Sequence, residues 1–226
     1  MKPIFIHGAG ANPMVWRLQL IHFNGSLAVE LPGHTSGAGY STIEDYASSV
    51  EEYIKKEAVK DPVLVGHSMG GAIAITLALA KFKLAGLVLV GTGARLRVQP
   101  TILSKVKENY EEASKLIAAW SVSPRSDPVI AQRIAQELLR TNSRVTYGDF
   151  MACEKFDRMN EVQNITCKTL IVVGEDDRMT PVKYSQYLHE KILGSKLVVI
   201  PGAGHSVMLE QQRLFNGAVE AFLGSL

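Results

Sequence analysis

Six short aliphatic runs, separated by longer segments of helical periodicity, constrain the fold of this chain more than any other feature. Each run is rich in Val, Ile and Leu and is too short to be a helix. The runs are Pro3–Ile6, Leu27–Glu30, Pro62–Val65, Gly86–Val90, Thr169–Val173 and Lys196–Ile200. Continuous apolar runs of this length are typical of strands buried on both faces. The alternation predicts an α/β fold with a mostly parallel six-stranded sheet flanked by helices.

Helices are predicted between these runs. Ser41 and Glu44 have the spacing of a capping box, and apolar residues recur at helical spacing behind them. Met69–Lys81 is apolar on nearly all sides, which is typical of a helix packed in the interior. Pro181–Leu193 begins with a proline, which the first helical turn favours, and Leu209–Leu223 is the last predicted helix.

The segment from Arg95 to Thr166 has no strand pattern. It contains two apolar stripes at helical spacing. One stripe consists of Ile102, Leu103, Val106, Tyr110, Ala113, Leu116, Ile117 and Trp120, and the other of Ile130, Ile134 and Leu138. We therefore expect residues 95–166 to form a helical cap, inserted into a core made of residues 1–94 and 167–226. The alternative is a set of extra helices that brace the sheet.

A motif that carries chemistry lies at the end of the third run. Gly66-His67-Ser68-Met69-Gly70 follows a predicted strand and opens a predicted helix. A nucleophilic serine needs this strand–turn–helix context, because the turn exposes its hydroxyl and the helix N-terminus faces developing negative charge. The Gly-x-Ser-x-Gly pattern alone arises by chance in many proteins. Its flanking elements favour Ser68 as a nucleophile.

A serine hydroxyl needs a base, and the base needs an acid that orients it. Only two histidines follow Ser68, and His189 falls within a helical pattern, whereas His205 lies in a glycine-rich loop after the last strand. We therefore expect His205 to be the base. Three carboxylates compete for the acid, because Glu175, Asp176 and Asp177 all follow the fifth strand.

These motifs together resemble the α/β-hydrolase superfamily. They are His7-Gly8-Ala9-Gly10, Leu31-Pro32-Gly33-His34, Gly66-His67-Ser68-Met69-Gly70-Gly71, Gly174-Glu175-Asp176-Asp177 with Pro181, and Gly204-His205-Ser206 with Glu210. The resemblance implies that Asp177 is the acid, with Asp176 as the runner-up. It also implies that the backbone N–H groups of Ala9 and Met69 form an oxyanion hole. Neither a metal nor an organic cofactor is expected.

The cap is expected to decide which substrate is bound, because its side chains would line the pocket. The candidate pocket residues are Trp120, Tyr147, Phe150 and Met151, with Phe156 as a further aromatic side chain. Arg133, Arg140 and Arg144 either bind a substrate carboxylate or are simply solvated. A carboxylesterase acting on a small ester is the expected function. A C–C bond hydrolase, a thioesterase, a lyase and a non-catalytic ligand-binding relative remain alternatives.

Composition narrows the partners and the location. The chain has 24 Lys and Arg against 22 Asp and Glu without a basic cluster, so neither nucleic acid nor a membrane surface is an expected partner. No apolar segment has the length of a signal peptide or a membrane span, and the two cysteines show no metal-ligand spacing. The expectation is a cytoplasmic monomer or homodimer with free thiols that acts on a small ester or acyl compound. The hypothesis that Gly8-Ala9-Gly10 begins a dinucleotide-binding Gly-x-Gly-x-x-Gly motif is disfavoured, because Pro13 occupies the position of the third glycine.

Overall fold

The computed structural model describes residues 2–226, and its centre is one sheet of six parallel strands. The strands are β1 (Pro3–Ile6), β2 (Leu27–Val29), β3 (Val63–His67), β4 (Gly86–Val90), β5 (Thr169–Gly174) and β6 (Lys196–Ile200). Their order across the sheet is β2-β1-β3-β4-β5-β6. All five strand pairings are parallel. This confirms the predicted six-stranded sheet, which is entirely parallel where the sequence predicted a mostly parallel one.

Helices cover both faces of the sheet and fill its crossovers. They are α1 (Arg17–His22), α2 (Ile43–Lys56), α3 (Met69–Leu79), α4 (Pro100–Glu108), α5 (Tyr110–Ser121), α6 (Pro128–Leu138), α7 (Ser143–Lys155), α8 (Val182–Lys191), α9 (Val207–Glu210) and α10 (Gln212–Leu223). Helices α2, α3 and α8 bury their apolar sides on one face of the sheet, and α1, α9 and α10 cover the other. No helix among residues 2–226 is long and apolar enough to cross a membrane.

The core shows why the strands lack a polar face. Alternate side chains of one strand belong to opposite layers: Leu64 joins the core beneath α2 and α3, whereas Val63 and Val65 join the core beneath α10. β4 divides in the same way, with Leu87 on one side and Val88 on the other. A strand between two layers of helices must be apolar on both faces, which explains the continuous runs in the sequence.

Four helices, α4 to α7, occupy the segment between β4 and β5. They have an apolar cluster of their own, formed by Ile102, Val106, Ala113, Ile117, Leu138 and Phe150. The first predicted stripe covers two helices, because Asn109 adopts an extended conformation (φ −151°, ψ 92°) between α4 and α5. Its side chain accepts a hydrogen bond from Glu112 N and so caps α5.

Two predicted helices begin at a different residue in the structure, and a third is divided in two. Thr42, not Ser41, caps α2, and its hydroxyl accepts a hydrogen bond from Asp45 N. Pro181 is the N-cap of α8 and not its first turn. The predicted helix Leu209–Leu223 is two helices that meet at Gln211, because the chain turns there from α9 into α10.

Candidate active site

Ser68 lies on a strained turn between β3 and α3. Its φ of 53° and ψ of −116° place a residue with a side chain in a backbone region that favours glycine. The flanking glycines allow the turn, because a Cβ on Gly66 would collide with Gly70 O and a Cβ on Gly70 with Ile6 O. The backbone N–H of Ser68 donates to Val90 O at 2.9 Å, which ties the turn to β4.

Two backbone N–H groups lie beside this turn. Met69 is the first residue of α3, where an N–H has no acceptor within its own helix. Ala9 lies in the loop after β1, and Gly8 of that loop is so close to Ser68 that a Cβ on it would come within 3.1 Å of Ser68 Cβ. Within residues 2–226, neither N–H has a hydrogen-bond acceptor. The arrangement leaves both donors available to a bound oxygen atom.

His205 and Asp177 form a buried pair at the carboxyl edge of the sheet. Nδ1 of His205 lies 2.8 Å from Oδ2 of Asp177, and the two side chains are 4% and 0% exposed. The carboxylate also accepts hydrogen bonds from the backbone N–H groups of Met179 and Thr180 and from the Thr180 hydroxyl. Burial opposes the charged form of Asp177, but His205 and the Thr180 donors outweigh it and lower the pKa of the carboxyl.

Asp177 is the acid that the structure brings to His205. Asp176 faces another way: its carboxylate accepts hydrogen bonds from the Ser123 hydroxyl and from Arg125. These two donors lower the pKa of the Asp176 carboxyl. Glu175 also pairs with Arg125, so these two acids join the turn after β5 to the segment between α5 and α6.

Ser68 and His205 line the same cavity, which we call the small cavity. It has a volume of about 60 Å³, and Gly8, Ala9 and Phe150 are also in its wall. Among the described residues, no hydrogen bond joins the Ser68 hydroxyl to the His205 ring. Such contacts are often long in the absence of substrate and tighten when it binds.

The His67 side chain contacts both the ring and the backbone of His205. Its Nε2 donates to His205 O at 3.0 Å, and the two rings are 4.6 Å apart. Burial, followed by the nearby His205, lowers the pKa of His67 to about 3. His67 is therefore neutral at neutral pH, and its side chain holds the backbone of the loop that carries His205.

A buried polar cluster around Asp149 went unnoticed in the sequence. Its carboxylate, on α7, accepts hydrogen bonds from Gly10 N at 2.8 Å and from the Tyr46 hydroxyl at 2.6 Å. Nε2 of His34 lies 2.9 Å from Asp149 Oδ2, and both side chains are 0% exposed. Burial alone would lower the pKa of His34, but the hydrogen bond and charge of Asp149 raise it. Asp149 thus joins α7 to the loop after β1, which carries Ala9.

A second cavity, the large cavity, also has Ser68 in its wall, but His205 is not among its lining residues. Its volume is about 240 Å³, and Trp120, Phe150 and the buried Cys153 contribute to its wall. Both cysteines are free thiols. Phe150 and Met179, like Ser68, line both the large and the small cavity.

Several predicted pocket residues lie elsewhere. Tyr147 and Met151 line neither cavity. Tyr147 lies one turn before Phe150 on α7 and packs against the outside of the cluster formed by α4 to α7, whereas Met151 follows Phe150 directly and lies on another face of the helix. The Tyr147 ring lies under the ammonium of Lys107, 4.4 Å from its centroid. Phe156 packs in the main core. Arg133, Arg140 and Arg144 are absent from both cavity walls.

Comparisons with known proteins identify the family and the fold of the chain. The model of a family described as "Alpha/beta hydrolase family" matches residues 4–218. The solved structure of a thermophilic esterase is 38% identical, with a TM-score of 0.89 over 99% of this chain and 90% of that one. A pimeloyl-[acyl-carrier protein] methyl ester esterase of Neisseria meningitidis is 27% identical over 98% of this chain and 76% of its own length. The structure of an N-acyl homoserine lactone degrading enzyme, Est816, is 25% identical, with a TM-score of 0.84 over 98% of this chain and 93% of that one.

Proposed function

Because the chain belongs to the alpha/beta hydrolase family, we propose that it is a serine esterase in which Ser68, His205 and Asp177 carry the reaction. The observation that carries the proposal is the buried His205–Asp177 pair, which shares a cavity wall with a serine on a strained turn. Relatives named for ester or lactone cleavage support the same bond type.

The first step forms an acyl-enzyme. His205 Nε2 accepts the hydroxyl proton of Ser68 while Oγ bonds to the ester carbonyl carbon. The negatively charged Asp177 keeps the ring in the tautomer that leaves Nε2 free, and it stabilises the imidazolium that forms. The carbon–oxygen bond to the alcohol then breaks, and the alcohol leaves with the proton from His205.

The N–H groups of Ala9 and Met69 stabilise the oxyanion formed in this step. They are fixed before substrate binds, one by the loop after β1 and the other by the start of α3, so they need no reorganisation as charge develops. The loss of one such donor typically costs about 3 kcal/mol of transition-state stabilisation.

The second step releases the acid. A water molecule gives a proton to His205 and its oxygen bonds to the acyl carbon, after which the bond to Ser68 Oγ breaks and Oγ regains the proton. The balance is one ester and one water consumed, with one acid and one alcohol formed. Neither step, as proposed, calls on a metal or an organic cofactor.

The test is the hydrolysis of methyl butyrate, followed by titration of the released acid, together with labelling by a fluorophosphonate. We expect Ser68→Ala to abolish both, and mass spectrometry to locate the label on Ser68 in the unsubstituted protein. Ser48→Ala is the control, because Ser48 is exposed on α2. Equal hydrolysis by the unsubstituted protein and Ser68→Ala would contradict the proposal and favour a ligand-binding role.

A further inference from the structure

The two cavities at Ser68 differ in which partner residues they contain. The small cavity contains His205 and Ala9, whereas the large cavity contains Ser68 but neither of them. In the proposed reaction, the leaving oxygen must receive its proton from His205. The alcohol of the ester therefore lies in the small cavity, and the acyl chain extends into the large one.

The small cavity limits the size of the alcohol. Its volume of about 60 Å³ is roughly that of two water molecules in the liquid. Its wall also contains Ile117, Leu138 and Met179, which offer apolar contacts. This space favours the methyl or ethyl group of a small alcohol over an aromatic ring.

The large cavity opens between cationic side chains. Arg97, Arg178 and Lys183 are exposed and border it, on the segment after β4, the turn after β5 and helix α8. A neighbouring groove of about 280 Å³ shares Lys183 and Tyr184 with this cavity and adds Arg95. Four positive charges from three parts of the chain therefore border the large cavity and the groove beside it.

No carboxylate in the part of the chain that the structure describes lines the large cavity or this groove. Asp157 pairs with Arg95, and Glu154 with Arg97, from outside both walls. Within residues 2–226, no carboxylate lies within 4.0 Å of the Arg178 guanidinium or the Lys183 ammonium, and Asp176, which Ser123 and Arg125 bind, acts on Arg178 only from a greater distance. A cleft bordered by charges of one sign concentrates its field and attracts ligands of the opposite sign.

We propose that the substrate is an ester of a small alcohol with an acid whose chain carries a second, negatively charged group, bound by Arg178 and Lys183. The inference rests on the proposed esterase function and names its substrate class. The acyl chain would run from Ser68 past Trp120 and Phe150, and its anionic end would reach the cationic border. Arg97 and Arg95 add to the field but are already partly neutralised by their own partners.

The test compares methyl esters of matched chain length that differ in terminal charge. Monomethyl glutarate carries a terminal carboxylate, the methyl ester of glutaramic acid carries a neutral terminal amide, and the methyl ester of 5-aminopentanoic acid carries a terminal ammonium group. Release of acid is followed by titration. We expect kcat/KM to be at least about tenfold higher for the anion than for the amide, and lowest for the cation. Added salt should reduce the preference, and monobenzyl glutarate should react more slowly than the methyl ester.

Variants locate the source of the preference. Arg178→Gln and Lys183→Gln should each reduce the anion-to-amide ratio of kcat/KM, and the double variant should bring it close to one. Lys60→Gln is the matched control, an exposed cation before the amino end of β3 and so at the edge of the sheet away from Ser68, and it should keep the full ratio. Equal rates for the anion and the amide, or a preference that survives in the double variant, would overturn the inference. If the neutral ester is still cleaved and Ser68→Ala abolishes that cleavage, the proposed function stands without it.

Discussion

Asp177 and Asp176 are adjacent carboxylates with different surroundings. Asp177 lies buried against His205, whereas Asp176 is bound by Ser123 and Arg125 on the outside of the same turn. The sequence alone left three acids open at this turn, because their order along the chain does not say which way each side chain points. Only the fold around the turn separates an acid that orients a histidine from an acid in a surface ion pair.

The exchange of each acid for its amide tests this difference. Asp177→Asn should reduce kcat by about 10³- to 10⁴-fold, because an amide no longer stabilises the imidazolium or holds the required tautomer. Asp176→Asn should retain most of kcat, since its carboxylate does not contact His205. Steady-state kinetics with methyl butyrate decides between them. A large loss in Asp176→Asn with little change in Asp177→Asn would reassign the acid.

At the scale of elements, the aliphatic runs predicted the strands closely because burial on both faces leaves a strong local signal. β1, β4 and β6 have the predicted bounds, β2 and β5 differ by one residue at one end, and β3 begins one residue later and ends two residues later than predicted. The break at Asn109 was missed because apolar spacing continues across it from α4 to α5. Asp149 was missed for another reason: its partners Gly10 and His34 are more than 100 residues away in the chain, so no local pattern marks it.

The contact between α7 and the core depends on Asp149. Asp149→Asn should lower kcat with little change in KM, because Gly10 N–H loses a charged acceptor and the loop that presents Ala9 loosens. It should also lower the free energy of unfolding by about 3–5 kcal/mol, since His34 loses its buried partner. Kinetics and urea unfolding measure the two effects. Asp61→Asn, which removes an exposed pair with Lys83, is the control and should cost no more than about 1 kcal/mol. A change in stability without a change in kcat would limit Asp149 to a structural role.

The turn at Ser68 requires two elements to approach closely. In Gly66→Ala the new methyl group would overlap the backbone of Gly70, so we expect several kcal/mol of destabilisation or failure to fold. Gly217→Ala offers the opposite case, because Gly217 lies within α10 and a Cβ there meets no atom within 4 Å. It should stabilise the protein by about 0.5–1 kcal/mol. Thermal unfolding of both variants checks the contrast, which would fail if Gly66→Ala were as stable as the unsubstituted protein.

At the scale of the whole molecule, the parallel sheet explains why motifs far apart in the chain meet. The loops after β1, β3, β5 and β6 carry Ala9, Ser68, Asp177 and His205, and all four leave the same edge. Because the alternation of strands and helices predicts a parallel sheet, whose strands all end at the same edge, this edge was predictable from the sequence. The cavities were not, since they depend on how α4 to α7 lie over that edge, and this is why Tyr147 and Met151 were misplaced as pocket residues.

The buried histidines make the stability of the molecule depend on pH. Burial, then the charges of neighbouring histidines, lowers the pKa of His7 to about 3, and His67 is lowered to about 3 as well. Between pH ~6.5, where these histidines protonate in the unfolded chain, and pH ~3, the unfolded state binds more protons than the folded state. The free energy of unfolding should therefore fall as the pH drops through this range.

His34 acts in the opposite sense, and its effect can be separated by measurement. Its pKa is raised, so its pairing with Asp149 stabilises the fold fully below pH ~6.5 and less as the pH rises through the raised value. The free energy of unfolding, measured with urea at a series of pH values, should be highest near neutrality. It should fall toward acid pH because of His7 and His67. His67→Gln should reduce the slope of this fall with pH by the equivalent of about one bound proton. His22→Gln, at an exposed pair with Glu220, should leave the slope unchanged. If the free energy of unfolding fell with the same slope toward acid pH in both variants, His67 would already be protonated in the folded protein or would not be buried as the structure has it.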